Sequence, residues 1–208
     1  MFDEIDGHAP AMPWRADDLE HVMAAVTELS TALTPCPLDD VPDAADRLRE
    51  DLTAYSRLSA APPTDLDGWE RRHLSELADL AEGTIAHLGG NTLVHFDIRA
   101  DNIVLGNDGR VWFVDWPWAC RGAIWMDITL FLVNAALYGH DPQAYADRHP
   151  LLADVDPLHV TGLLAGIAGM WAEEIRQPAP PGIPTLRAFQ RAQLDATLPW
   201  IRRRTEWG

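Results

Sequence analysis

Apolar residues recur every three or four positions through most of this chain, which is the pattern of helices with one buried face. The first helix is predicted to begin at Asp17 or Asp18, whose carboxylates could cap it, and to end before Pro35. Its apolar positions are Leu19, Val22, Met23, Val26 and Leu29. Further helices are predicted over residues 43–58, 66–88, 126–138, 142–148, 157–176 and 185–204. The pattern therefore predicts a mainly helical protein.

The helical period is interrupted in the middle of the chain by three short extended segments, over residues 92–96, 102–105 and 110–115. A Gly-Asn-Asp-Gly sequence at residues 106–109 separates the last two and is a strong hairpin signal. A two-residue turn there places Asn102 opposite Phe113 and Asp115 just past the open end of the hairpin. Asp97 lies in the loop that enters the same end. We therefore expect these oxygen-bearing side chains to meet at one rim.

The spacing of these polar residues suggests a reaction. His95 and Asp97 are followed by Asn102 five residues later, and Asp115 ends the second apolar strand. Amide and carboxylate oxygens suit Mg²⁺, which also binds substrate phosphates. This order and spacing are typical of phosphoryl transfer from a magnesium nucleotide.

Composition narrows the classes of partner. The chain has 208 residues, 32 acidic against 16 basic, and a net charge of −16. Nucleic acid is therefore an unexpected partner, because binding to its phosphates needs a basic surface. The two cysteines, Cys36 and Cys120, form neither a disulfide framework nor a zinc site. No signal peptide or membrane span is visible, so we expect a cytoplasmic protein with no membrane partner.

Residues 93–128 resemble the catalytic core of the aminoglycoside phosphotransferase and choline kinase-like family, which are relatives of protein kinases. VHFDIRADN resembles the family's His-Gly-Asp-x-x-x-x-Asn catalytic loop, with Phe96 in place of the usual Gly. FVDW resembles its metal-binding strand end, and WMDI resembles the following Asp-Ile. The N-terminal FDEIDGHAPAMPW resembles the hinge between the two lobes.

The resemblance implies roles for individual residues. Asp97 would be the base that accepts a proton from the substrate hydroxyl. Asn102 and Asp115 would hold Mg²⁺. Arg99 would contact the γ-phosphate, or else form a surface ion pair.

Other residues are expected to support this core. His95 and Asp127 would orient the catalytic loop. The hinge backbone would bind the nucleotide through Phe2, Asp3, Glu4 and Ile5. Four tryptophans flank the site, and core packing explains them at least as well as ligand stacking: Trp112, Trp116, Trp118 and Trp125.

The resemblance also implies a fold class, α+β but mainly α. Residues 1–16 would be a hinge-like segment, and residues 17–208 a single kinase-like C-terminal lobe with a small β-hairpin insert at the catalytic loop. The N-terminal β-lobe is expected to be absent, because no glycine-rich loop is visible and all 16 basic residues are Arg. We therefore expect this chain alone to bind ATP weakly and turn over poorly.

The expected function is ATP- and Mg²⁺-dependent transfer of a γ-phosphate to the hydroxyl of a small molecule. An amine-bearing acceptor would suit the acidic composition. A dimer or a partner would cover the exposed hinge face. Two alternatives stay open: a non-catalytic, lobe-only binding module, and a metal-dependent hydrolase that uses Asp97 and Asp115.

Overall fold

The computed structural model describes residues 4–208, which form nine α-helices and five short strands. The helices are α1 (Ala16–Ala32), α2 (Ala44–Leu52), α3 (Ala54–Ala60), α4 (Gly68–Arg72), α5 (Leu74–Ile85), α6 (Met126–Leu137), α7 (Pro142–Ala146), α8 (Pro157–Glu174) and α9 (Leu186–Thr205). The strands are β1 (Gly7–His8), β2 (Thr92–Val94), β3 (Ile103–Gly106), β4 (Val111–Phe113) and β5 (Cys120–Gly122). None of the described helices is long and apolar enough to cross a membrane.

The chain divides into two compact units. The residues up to Asp43, together with Gly90–Ala153, form what we call the loop unit. Ala44–Gly89 and Asp154–Gly208 form the helical unit. The mainly helical class is confirmed, with small antiparallel sheets beside the helices. The assignment of residues 17–208 to a single domain stays a prediction.

The loop unit contains both sheets. One has the strand order β1-β3-β4 and the other pairs β2 with β5, all antiparallel. Helix α1 is tied to the second sheet, because the Leu93 amide donates to the Leu33 carbonyl at 3.1 Å. It also packs against α6. Trp14, which precedes α1, donates a hydrogen bond from its indole to Asn134 at 3.0 Å and packs edge-on against Phe131. These contacts connect α1 and Trp14 to β2 and α6, the elements that precede and follow residues 95–125.

The helical unit is built around α8, which packs against α5 and α9. Glycines on α8 permit this close approach. A Cβ at Gly162 would lie 2.5 Å from the Leu80 carbonyl oxygen of α5. A Cβ at Gly166 would lie equally close to the Leu52 side chain of α2. The unit therefore depends on small residues for helix packing.

The helix predictions were largely confirmed, with corrections at the ends. Helix α1 begins at Ala16 with Arg15 as its N-cap residue, and Asp17 and Asp18 lie in the first turn. The prediction that either carboxylate caps the helix was therefore wrong. Both remain well placed to interact with the helix dipole.

Two predicted helices are each divided in two. Thr53 separates α2 from α3, and its hydroxyl donates to the carbonyls of Arg49 and Glu50. Such bonds compete with the helical pattern. His73 separates α4 from α5, and α4 begins later than predicted because Asp67 caps it. Apolar periodicity continues across both breaks and does not reveal them.

The hairpin register differs from the prediction by one residue. The turn has three residues rather than two, since Gly106 N–H donates to the Arg110 carbonyl at 2.8 Å. Gly109 adopts a left-handed φ of 82°, as in hairpins with a glycine bulge. Asn102 therefore faces Val114 and not Phe113. Strands β1 and β5 were not predicted.

Candidate active site

The loop between β2 and β3 brings Asp97 and Asn102 into direct contact. Asn102 ends a short 3₁₀ turn, so it lies outside the strand in which it was predicted. Its amide nitrogen donates to the Asp97 carbonyl at 2.9 Å and to Asp97 Oδ2 at 3.0 Å. Asn102 is buried. The contact fixes both the loop backbone and one oxygen of the carboxylate.

The other oxygen of Asp97 faces Arg99. Arg99 Nε lies 3.4 Å from Asp97 Oδ1. The same guanidinium binds Asp101 through two bonds, Nε to Oδ1 at 3.1 Å and Nη2 to Oδ2 at 3.0 Å. Arg99 therefore holds two carboxylates at once, one of which belongs to the predicted base.

The surroundings of Asp97 alter its acidity. Burial raises the pKa of its carboxyl to about 6, and the neighbouring charges of Asp101 and Asp115 act in the same direction. Arg99 and the hydrogen bond from Asn102 oppose this rise in pKa. A carboxylate with a pKa near neutrality is suited to accept a proton in catalysis. The electrostatic effect of Asp115 also indicates that the two carboxylates lie near each other.

Asp115 lies two residues after the end of β4, in an unusual backbone conformation. Its φ is 63°, in the left-handed region that few non-glycine residues adopt, and it is exposed. The preceding residue, Val114, donates its N–H to the Asn102 carbonyl at 3.0 Å. The ring of the following Trp116 packs against His95 at a tilt, with ring centroids 4.4 Å apart. Asp115 therefore lies directly beside the loop that carries Asp97.

His95 is fully buried and connects the two sides of the site. Its Nε2 lies 3.0 Å from the Val114 carbonyl, and its Nδ1 accepts a hydrogen bond from the Asp97 N–H at 3.2 Å. Because a carbonyl can only accept, Nε2 carries the proton and the imidazole is neutral. Burial lowers the pKa of His95, which agrees with this assignment.

Asp127, near the start of α6, binds the backbone of the same loop. Its carboxylate oxygens accept from the backbone N–H groups of His95 and Phe96, both at 2.9 Å. It is buried, and burial raises its pKa to about 6. Phe96 itself has a φ of 63°, the backbone conformation that a glycine adopts without cost. Phe96 therefore stands at the position of the usual Gly of the resembled motif in a conformation that favours glycine.

Three of the four tryptophans occupy clearly different surroundings. Trp116 packs against His95, whereas Trp125 is buried immediately before α6. Trp112 is 39% exposed and lines a separate groove of about 410 Å³ between α1 and β4. Trp112 and Trp125 therefore do not share one ligand-stacking wall, and core or surface packing accounts for both.

The N-terminal segment is tied to the hairpin. The Asp6 carbonyl accepts from Asn107 N–H at 2.9 Å, and Asp6 Oδ1 accepts from the Asn107 side chain at 2.7 Å. Glu4 is exposed and Ile5 is half-buried. Two of the four predicted hinge residues, Phe2 and Asp3, lie outside the described residues. Sequence analysis missed the pairing with the hairpin, whose only signal was the Asn-containing turn.

The donor set can be tested against Mg²⁺. Within residues 4–208, no group of three or more His, Cys, Asp or Glu side chains could hold a metal ion. Both described hydrogen bonds of the Asn102 amide involve its nitrogen, so its oxygen is the atom that would serve as a metal ligand. Asn102 and Asp115 fit Mg²⁺ that is shared with phosphates and water, and not a site made by protein ligands alone.

The fold of this chain is similar to that of two solved structures, one an aminoglycoside phosphotransferase and the other a choline kinase. The chain is similar to an aminoglycoside phosphotransferase from Alicyclobacillus acidocaldarius, with a TM-score of 0.55 and 17% identity over 98% of this chain and 70% of that one. It is also similar to the choline kinase LicA from Streptococcus pneumoniae, with a TM-score of 0.51 and 14% identity over 88% of this chain and 64% of that one.

These likenesses confirm the predicted resemblance at the level of the fold. The chain spans about two thirds of the length of both structures. No protein-family model and no curated protein matches the chain. The roles of individual site residues therefore stay predictions.

Proposed function

We propose that this protein is an ATP-dependent phosphotransferase that acts on a hydroxyl group of a small molecule. The contact between Asp97 and Asn102, made at the end of a hairpin that closes with Asp115, carries this proposal. A kinase-like fold around it supports the same reaction class. The alternative of a metal-dependent hydrolase has weaker support, because two-metal hydrolases usually need more His and Asp ligands.

Each site residue has a proposed role. Asp97 accepts the proton of the acceptor hydroxyl, for which its raised pKa is suited. Asn102 and Asp115 hold Mg²⁺, and Arg99 contacts the γ-phosphate. Bound Mg²⁺·ATP would supply the phosphoryl group and the charge that stabilises its transfer. In addition, His95 and Asp127 keep the loop in place through its backbone.

The nucleotide and acceptor are proposed more generally. The backbone of the hinge-like residues Phe2, Asp3, Glu4 and Ile5 would bind the nucleotide base. The acceptor would carry an amine, because a chain with a net charge of −16 attracts cations.

A panel assay tests the proposal. The protein is incubated with ATP, Mg²⁺ and hydroxyl compounds in pairs with and without an amine, and phosphorylated products are detected by mass spectrometry. We expect a product with the wild-type chain and none with Asp97→Asn. Full activity in Asp97→Asn, or no product from the whole panel, would contradict the proposal.

A second candidate is a non-catalytic binding module. It is favoured by the complete absence of Lys from the chain and by the engagement of Arg99 with Asp101. This candidate predicts that Mg²⁺·ATP or a small hydroxyl compound binds without turnover. Affinity measurements on the compounds of the same panel separate it from the enzyme.

A further inference from the structure

Arg99 uses one particular edge of its guanidinium to bind Asp101. The bonds run from Nε and Nη2 to the two carboxylate oxygens, at 3.1 and 3.0 Å. This is the paired arrangement in which Arg binds planar anions most strongly. Nε also lies 3.4 Å from Asp97 Oδ1. The described contacts of Arg99 thus include two carboxylates of its own loop.

A phosphoryl group would compete for the same edge. Arg binds phosphate by the same pair of parallel N–H donors that it offers to a carboxylate. Those donors cannot serve Asp101 and a phosphate in full at the same time. The Asp101 side chain is 65% exposed, whereas that of Arg99 is 26% exposed. Release of Asp101 into water is therefore the easier way to free the Nε and Nη2 donors of Arg99 for a phosphoryl group.

We infer that Asp101 is a positioning residue that holds Arg99 on the predicted base and opposes its contact with a phosphoryl group. This inference rests on the proposed function. Arg99 exchanges partners when the nucleotide binds, leaving Asp101 for the phosphoryl oxygens. The exchange also withdraws Nε from Asp97 Oδ1, which is the oxygen that Asn102 does not hold. The base is thereby opened to the acceptor hydroxyl only when phosphate is present.

The dissociation constant of Mg²⁺·ATP tests the inference without any acceptor. Isothermal titration is carried out on the wild type, Asp101→Asn, Arg99→Gln and the double variant. We expect Asp101→Asn to tighten binding about three- to fivefold, as suits the loss of one competing ion pair. In the Arg99→Gln background the same change should have less than about a twofold effect. Asp101→Glu, which keeps the carboxylate, should bind more like the wild type.

Asp108→Asn is the matched control. Asp108 is also a half-exposed carboxylate beside an Arg two residues away, with Arg110 Nε at 3.4 Å. It lies in the turn at the opposite end of the hairpin from Asn102. Asp108→Asn removes the same charge as Asp101→Asn and should leave the affinity for Mg²⁺·ATP unchanged. The comparison separates the exchange of partners at Arg99 from the effect of net charge.

Several results would overturn the inference. Unchanged or weaker binding in Asp101→Asn contradicts it, and so does equal tightening in the Arg99→Gln background or in Asp108→Asn. If the wild type binds Mg²⁺·ATP and Asp101→Asn binds equally well, only the inference fails. If the wild type shows no binding at millimolar nucleotide, the proposed function fails and the inference fails with it.

Discussion

The loop unit and the helical unit use unusual residues for different purposes. In the loop unit, Phe96 and Asp115 have left-handed backbone conformations beside the predicted base, and a buried carboxylate lies beneath them. In the described part of the helical unit, the non-glycine residue with positive φ is Glu206, which ends α9. Backbone strain is costly and often concentrates at functional sites, whereas buried carboxylates occur in both units, since Glu70 of α4 is buried as well. The difference therefore favours the loop unit as the location of the chemistry.

In the helical unit, the unusual residues are glycines inside a helix. Gly162 and Gly166 lie within α8, where glycine lowers intrinsic helix stability. Their neighbours explain them, because backbone and side-chain atoms occupy the space that a Cβ would need. These residues serve packing, and chemistry is not needed to account for them. The following predictions test this division, beginning with the largest effect.

Replacement of Asp97 by Asn should give the largest effect. Asn keeps the shape of the side chain but cannot accept the proton of a hydroxyl, so we expect the rate of phosphoryl transfer to fall by about 10²- to 10⁴-fold. Initial rates with an acceptor from the panel measure the loss. Asp108→Asn serves as a control of equal charge and should keep the wild-type rate. Comparable rates in Asp97→Asn and wild type would remove Asp97 from the role of base.

Asp127 should make the stability of the protein depend on pH. Burial raises its pKa to about 6 in the folded state, above the value near 4 expected when unfolded. As the pH falls from 7 to 4, the folded state takes up the proton first, so the cost of burying the charge is relieved. The wild type should therefore gain up to about 3 kcal/mol relative to Asp127→Asn over this range. Urea unfolding of both proteins at several pH values measures the gain.

In the helical unit, Gly162→Ala should destabilise the fold. The new Cβ would meet the Leu80 carbonyl at 2.5 Å and the Thr84 Cβ at 2.7 Å, so α8 and α5 must separate. We expect a loss of about 1–3 kcal/mol in the free energy of unfolding. Chemical denaturation measures it, and nucleotide affinity should stay as in the wild type. An unaltered stability would show that the helices are less tightly packed than described.

Gly83→Ala is the matched substitution with the smallest effect and the opposite sign. Gly83 lies inside α5, and apart from its chain neighbours and the backbone of its own helix no atom lies within 4 Å of the position of its Cβ. Alanine should stabilise the helix by about 0.5–1 kcal/mol because it restricts the unfolded chain and favours the helix. The same denaturation experiment records the gain. A loss of stability would mean that the space around a glycine does not determine whether its replacement by alanine raises or lowers the free energy of unfolding.

The sequence predicted the elements that rest on local patterns. Helix α1 and the β3–β4 hairpin follow directly from the spacing of apolar residues and from a turn signal. The meeting of Asp97 and Asn102 also follows from their five-residue separation within one loop. Strong local signals of this kind need no knowledge of distant contacts.

Details that depend on distant contacts could not be predicted. The one-residue change of register follows from the left-handed Gly109, and the same sequence also fits a two-residue turn. Strands β1 and β5 are too short for any alternation to show, and they exist because another strand lies beside each of them. The bond pair between Arg99 and Asp101 depends on side-chain conformations that spacing does not specify.

The central claim is that Asp97, Asn102 and Asp115 form one rim that binds a metal nucleotide. Paramagnetic relaxation by Mn²⁺ in place of Mg²⁺, added with ATP to ¹⁵N-labelled protein, tests it most directly. We predict that the amide signals of Asn102 and Asp115 broaden first and that Asp115→Ala abolishes this broadening. Broadening that is the same in Asp115→Ala, or that is absent at Asn102 and Asp115, would contradict the claim.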